Sequence, residues 1–527
     1  MATVSDITYE LLRARGLTTI FGNPGSNELP FLSGMPSDFR YVLGLHEGAV
    51  MSMADGYSLA TGEAVFVNLH AASGSGNAMG ALTNAVYSHS PLIVTAGQQV
   101  RSTIGQEVML ANVDATMLMH PLVKWSAEPL CAEDVPRVIS QAIHTALLPA
   151  KGPVYVSVPY DDWAQEAPDE TRHLLARTTT AASDLSEAQL VELVEVLDAA
   201  VNPVLVLGPA VDAEHANEFA VELSDKLAAP VWIAPSPSRC PFPTRHPAFR
   251  GVLPAGVEQL SHALDGHDLI VVIGAPVFRY HQHVPGNYLP DGATLIHITA
   301  DAGEAARSPM GRAFVAPVRE ALAALAKRVS TSSRPALEPL ADFPEPRTSS
   351  DGLSPDLLFA TIRENAPADT IYVNESTSTS QDFFAQMNLS RQGSFYFPAS
   401  GGLGFGLPAA VGVALARKRP VVGLIGDGSA NYGITALWTA AQYDIPVVFV
   451  ILKNGTYGAL RGFGALLGTG ETPGLDVPGL DFVKIAEGYG VSATAVSTTE
   501  SFASAFRSAL NANAPHLIEV TTTFEQP

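Results

Sequence analysis

The 527-residue chain is 47% hydrophobic and 16% charged, which is enough apolar material for three or four domains with their own cores. A formal net charge of −22 repels phosphate backbones and anionic membranes, which excludes nucleic-acid and lipid-surface partners. The two cysteines, Cys131 and Cys240, form no CxxC pair, so neither a disulfide framework nor a cysteine-rich zinc site is expected.

In chain order, Met1 to Arg15 reads as an amphipathic helix with Ile7, Leu11 and Leu12 on one side. It lacks the basic start and apolar run of a signal peptide. No apolar stretch approaches the roughly 20 residues of a membrane span. A soluble cytoplasmic protein is expected. Ala64–Leu69 and Pro91–Ala96 read as buried strands, as do Pro203–Leu207, Asp268–Ile273, Thr370–Val373, Val421–Ile425 and Pro446–Leu452. Such continuous apolar strands, separated by helical patterns, predict parallel sheets covered on both faces. Two linkers interrupt them. Gln165–Asp184 is polar, and a capping box at Ser186 and Gln189 follows it. Thr331–Ser350 carries four prolines, and Ser354-Pro355 then restarts a helix. The expected fold class is α/β, with three doubly wound parallel-sheet domains at 1–180, 185–330 and 351–527.

The segment Val421–Gly458 is the most informative. A buried strand runs into Gly426-Asp427-Gly428-Ser429, a helix follows, and a second strand ends in Asn454-Gly455-Thr456-Tyr457-Gly458. Parallel sheets release ligands at the C-terminal ends of their strands, and a helix N-terminus there favours phosphate. Asp427 and the Asn454 amide, 27 positions apart, offer the hard oxygens that magnesium or calcium takes beside phosphates. An isolated GDG is an ordinary strand-closing turn; the full strand–GDG–helix–strand–NGT unit outweighs that reading. The glycines of Gly74-Ser-Gly-Asn-Ala-Met-Gly80 match a dinucleotide fingerprint only weakly, and no glycine-rich loop follows the first strand of the middle domain.

The Val421–Gly458 unit resembles the diphosphate-binding motif of thiamine-diphosphate enzymes, with Lys453 standing where many members have a first Asn. Five further segments resemble the benzoylformate decarboxylase family: Phe21–Pro30, Asn68–Ala72, Phe278–His281, Asn374–Thr379 and Gly401–Phe405. A sixth is Pro237–His246, and the likeness spans essentially the whole chain. No adjacent His-His pair occurs, which separates the chain from the pyruvate-type and indolepyruvate-type decarboxylases.

The resemblance implies a thiamine-diphosphate-dependent decarboxylase of an aromatic 2-keto acid, requiring Mg2+ or Ca2+. The metal would be held by Asp427, Asn454 and the Thr456 carbonyl, and the diphosphate lined by Gly428, Ser429, Tyr457 and Gly458, with Thr377 and Ser378 nearby. Glu47 would activate the cofactor by bonding its pyrimidine ring, while Leu403 would prop its bent shape and Gly401 would offer a carbonyl. Ser26 would hold the substrate carboxylate, His70 and His281 would exchange protons, and Ala459, Leu460 and Phe463 would line the acyl pocket. Taken singly, each of these residues has a structural reading. Glu47 caps a helix, Ser26 sits in a Pro-Gly turn, His70 is a core histidine, His281 is a surface one and Leu403 is core. Gly462 stands where an aromatic residue is expected, which leaves substrate breadth open. The family shares one cofactor between chains, so a homodimer is the minimum, with a tetramer as a dimer of dimers. A carboligase of the same fold, a non-catalytic cofactor-binding paralogue and, more weakly, a nicotinamide oxidoreductase are the alternatives.

Overall fold

The computed structural model describes residues 2–181, 183–281, 284–348 and 352–524. Met1, the Ser350 end of the second linker and the outer boundaries at 351 and 527 lie outside the described residues. The chain folds into three six-stranded sheets. The first holds β1 (Thr19–Gly22), β2 (Arg40–Leu43), β3 (Val65–Leu69), β4 (Leu92–Gln98), β5 (Trp125–Ala127) and β6 (Val154–Pro159). The second holds β7 (Pro203–Leu207), β8 (Val231–Ile233), β9 (Phe249–Val252), β10 (Leu269–Ile273), β11 (Thr294–Thr299) and β12 (Arg312–Val315). The third holds β13 (Ile371–Glu375), β14 (Phe395–Tyr396), β15 (Val421–Gly426), β16 (Val448–Lys453), β17 (Ser492–Val496) and β18 (His516–Thr521). Neighbouring strands pair in parallel throughout, as in Ile20 opposite Phe66 and Ile425 opposite Ile451. The α/β expectation of three doubly wound parallel sheets therefore holds.

The first sheet runs β2-β1-β3-β4-β6-β5 and the third runs β14-β13-β15-β16-β18-β17, which is the same order. The middle sheet runs β12-β11-β10-β7-β8-β9, the nucleotide-fold order. In the first and third sheets the winding reverses between the first and third strands, so a crevice opens at the C-terminal ends of β1 and β3 and of β13 and β15. The sequence places its chemistry there: Asn23–Asn27 follow β1, His70 follows β3, Glu375 ends β13 and Asp427 follows β15.

The helices behave as their sequences predict. The first helix is Val4–Ala14, with Ile7, Leu11 and Leu12 buried. Ser186 and Gln189 form the capping box that starts Glu187–Ala199, and Ser354 precedes the helix Pro355–Asn365. Two helices join the first and third sheets into one apolar core. Val50, Met53 and Ala54 of Glu47–Thr61 pack in one cluster with Ala409, Ala410 and Val413 of Gly406–Ala416. Each buried Val or Met side chain among them contributes about 1.5–3 kcal/mol. No helix among the described residues is long and apolar enough to cross a membrane.

Candidate active site

Glu47 is the first residue of the helix that follows β2, and it is buried. A carboxylate at that position could cap its own helix, but the His46 ring takes the Gly48 N–H instead. The Glu47 oxygens accept from two amides, Asn23 Nδ2 at 3.1 Å and Asn77 Nδ2 at 3.0 Å. Gly74, in the helix Ala71–Tyr87, lies so close that an added Cβ would stand 3.2 Å from Glu47 Oε1. The glycines with a weak dinucleotide signature thus belong to a helix, and one of them makes room for this carboxylate.

On the other side of the Asn23–Asn27 loop stands His70. A Cβ on Gly25 would fall inside the His70 ring, so only glycine lets the loop lie on the imidazole. His70 Nδ1 is 2.9 Å from Glu28 Oε2. Glu28 is buried, and its two oxygens also accept the Gly25 N–H at 2.9 Å and the Gly97 N–H at 2.8 Å. Ser26 is exposed at the loop's tip, its hydroxyl 3.2 Å from Asn27 Oδ1. Sequence reasoning missed Asn23, Asn77 and Glu28. The one faint signal was a charge, Glu28, set directly against the apolar run Leu29-Pro30-Phe31-Leu32.

In the third sheet, β15 passes directly into the helix Asp427–Gly433, so Gly426-Asp427-Gly428 is a helix start and not a separate loop. Asp427 is buried; its Oδ1 accepts the Gly428 N–H at 2.9 Å and its Oδ2 the Gly455 N–H at 2.6 Å. The second bond ties the GDG turn to the NGT turn, as the sequence unit predicts. Burial pushes the Asp427 carboxyl above its ordinary value, against the backbone N–H groups of Gly455 and Gly428 that favour its charged form. Asn454 Oδ1 accepts the Thr456 N–H at 3.0 Å, and Thr456 is buried beside it. Asp427, Asn454 and the Thr456 carbonyl offer hard oxygen donors, the type that Mg2+ or Ca2+ takes. Ser429 donates to the Glu375 carbonyl at 3.3 Å, and a Cβ on Gly428 would stand 2.6 Å from the Tyr457 ring. Gly458 is packed on Phe524 and on Ser378, which together with Thr377 follows β13.

Glu375 is the second buried acid that the sequence did not single out. Its oxygens accept N–H groups of Gly404 at 2.8 Å, Phe405 at 3.0 Å and Gly406 at 2.8 Å. It therefore fixes the turn that carries Gly401 and half-buried Leu403; Gly401 has φ +77° and an open flank. Ala459, Leu460 and Phe463 lie on the helix Gly458–Leu467, where Leu460 is half exposed. The His281 ring packs edge-on against Phe463 with centroids 4.6 Å apart, so those two predicted pocket residues meet. Ser26, Glu47 and His70 form one group and Asp427, Asn454 and Thr456 another. Among the described residues no hydrogen bond joins the two groups within the chain.

This fold and these two groups define a thiamine-diphosphate enzyme. Three family descriptions match the chain: "Thiamine pyrophosphate enzyme, N-terminal TPP binding domain" over residues 2–118, its central domain over 190–325, and its C-terminal TPP binding domain over 376–520. A benzoylformate decarboxylase of Pseudomonas aeruginosa is 60% identical over 528 residues, covering 100% of both chains. A solved thiamine diphosphate-dependent 4-hydroxybenzoylformate decarboxylase of Rhodococcus jostii is 74% identical with a TM-score of 0.99, again over 100% of both chains. The benzoylformate decarboxylase structure from Polynucleobacter necessarius is 37% identical with a TM-score of 0.97, over 100% of both. The chain belongs to the benzoylformate decarboxylase family of thiamine pyrophosphate enzymes.

Proposed function

We propose that the chain decarboxylates an aromatic 2-keto acid, converting benzoylformate to benzaldehyde and carbon dioxide with thiamine diphosphate and a divalent cation. The observation that carries this reading is the N-terminal crevice, where one short loop, Asn23–Asn27, is flanked by Glu47 on one side and His70 on the other. Asp427, Asn454 and the Thr456 carbonyl would hold Mg2+ or Ca2+. Gly428, Ser429, Tyr457, Gly458, Thr377 and Ser378 would line the diphosphate, and Gly401 and Leu403 the ring end. When bound, the cofactor supplies a carbon nucleophile and an electron sink for the loss of carbon dioxide.

The protein's share is orientation and proton handling. Glu47, kept in place by two amide donors, is the carboxylate that meets the cofactor's pyrimidine. Ser26 binds the substrate carboxylate, and its exposed position at the loop tip suits that contact. His70 holds and delivers a proton at its free Nε2, and His281, seated on Phe463, serves the opposite side of the pocket with Ala459 and Leu460. A homodimer completes the site, with a tetramer as a dimer of dimers.

Apoprotein reconstituted with thiamine diphosphate and Mg2+ will form benzaldehyde from benzoylformate, read through a coupled alcohol dehydrogenase, and Glu47→Gln will reduce turnover at least about 100-fold. Bound cofactor without benzaldehyde would overturn the assignment. A ring-hydroxylated substrate is a second reading, favoured by Gly462 in place of an aromatic residue and by the 74% identical relative that acts on 4-hydroxybenzoylformate. The ratio of kcat/KM for the two acids decides between them.

A further inference from the structure

Glu28 is buried, charged and absent from every role assigned above, yet the structure builds a socket around it. Its Oε1 accepts the Gly97 N–H at 2.8 Å, and its Oε2 accepts the Gly25 N–H at 2.9 Å. Both flanking glycines are sterically required. A Cβ on Gly97 would collide with Glu28 Oε1, and one on Gly25 with the His70 ring. Each Glu28 oxygen thus already receives a backbone N–H, and this favours the acceptor-only carboxylate. The third group in reach is His70 Nδ1, 2.9 Å from Oε2. Against an acceptor-only carboxylate that nitrogen must carry a proton, which leaves Nε2 as the free nitrogen of the neutral ring. The carboxylate is 1% exposed and the imidazole 21% exposed, so the pair has a closed inner end and an open outer one.

We propose that Glu28 is the positioning residue of the reaction: it locks His70 in the Nδ1-protonated tautomer and aims Nε2 at the keto-acid site beside Ser26. The inference rests on the proton-handling role proposed for His70. Glu28 touches neither substrate nor cofactor; it acts through the ring, as an orienting carboxylate acts on a general base in hydrolases. The loop carrying Ser26 is held by the same acid through Gly25, so one buried group sets the substrate-binding hydroxyl and the proton-transfer nitrogen relative to each other.

The direct test is solid-state 15N NMR of the histidine-labelled apoprotein, with the His70 signal assigned by its loss in His70→Ala. Neutral His70 is expected to be protonated at Nδ1. A neutral ring protonated at Nε2 overturns the proposal, whether or not a Glu28 variant folds. Glu28→Gln leaves one amide oxygen for three donors, so it is expected to release His70 into a mixture of tautomers. In the same variant kcat falls on the order of 10- to 100-fold, as for other orienting partners, while KM and cofactor affinity change less than about threefold. Glu28→Asp, which keeps the charge, recovers part of the loss. If Glu28→Gln keeps both the tautomer and kcat, or if Glu28→Asp is no better than Glu28→Gln, Glu28 is structural only. Full kcat in His70→Ala would instead sink the role of His70, a failure the NMR result distinguishes from that of Glu28.

Discussion

Glu375 shows how much a single buried residue contributes beyond its place in a motif. It ends β13, is fully enclosed, and accepts three successive backbone N–H groups from the turn that carries Leu403. Burial outweighs those three donors and pushes its carboxyl from 4.5 up to about 7. The sign of the consequence follows from proton binding. Between about pH 4.5 and 7 the native state holds a proton that the unfolded chain has released, so this group's stabilising contribution is full below that window and lost as pH rises through it. The loss amounts to about 3 kcal/mol over the whole window. Glu375→Gln, which has no charge to desolvate, is therefore expected to gain on the wild type as pH rises from 5 to 8. The gap between their thermal midpoints measures this, and a flat gap across that range would falsify the assignment. Asp427 was legible in the sequence because a strand end and flanking glycines mark it, and Glu47 was legible through the family resemblance alone. Glu28, Asn23, Asn77 and Glu375 were not, since their partners His70 and Gly97, Glu47, and the Gly404–Gly406 turn are distant in sequence and only the folded chain pairs them.

At the scale of elements, seven buried strands were legible, namely β3, β4, β7, β10, β13, β15 and β16, and the other eleven were not. These seven are predominantly apolar and buried nearly end to end, because a parallel strand under two helical layers meets little water on either face. β1, β2, β5, β8, β9, β12 and β14 escaped notice because they are only two to four residues long, β17 because it is largely solvent-facing, and β6, β11 and β18 because Ser157, His297 and Glu519 interrupt their apolar residues. The crossing of the helices Glu47–Thr61 and Gly406–Ala416 was equally silent in sequence, since it depends on two glycines far apart in the chain. A Cβ on Gly412 would overlap the Met53 carbonyl, and one on Gly56 the Ala409 carbonyl, so the backbones meet where side chains normally separate them. Because Glu47 starts the first of these helices, the crossing also sets where the carboxylate stands. Gly412→Ala is expected to destabilise by about 1–3 kcal/mol through forced separation, despite the better helix propensity of alanine. Urea unfolding of the variant checks this. An unchanged midpoint would mean that the helices slide apart freely.

For the whole molecule the decisive feature is the shared strand order of the first and third sheets, each opening a crevice at its own switch point. The alternation of strands and helices announced three such domains, but the strand order and the identity of the two crevices needed the fold. Within one chain the contacts between these two domains lie elsewhere. The Tyr443 hydroxyl bonds Tyr41 and Leu43, Thr439 bonds Leu43, and Asn84 bonds Ser400 and Gly402. None of these bonds involves Glu47, His70, Asp427 or Asn454, although the site proposed above has the cofactor touch both groups. In the homodimer proposed above, a second copy would place its N-terminal crevice against the C-terminal crevice of the first, and a two-fold dimer would then hold two identical sites. The arrangement has a consequence that mixing reveals. In a dimer of one Glu47→Gln chain and one Asp427→Asn chain, one site carries both lesions and the other carries none. Random co-assembly makes half the dimers mixed, so co-expression of two inactive variants is expected to restore about a quarter of wild-type specific activity. If each site were built from a single chain, every site would keep one lesion and no activity would return.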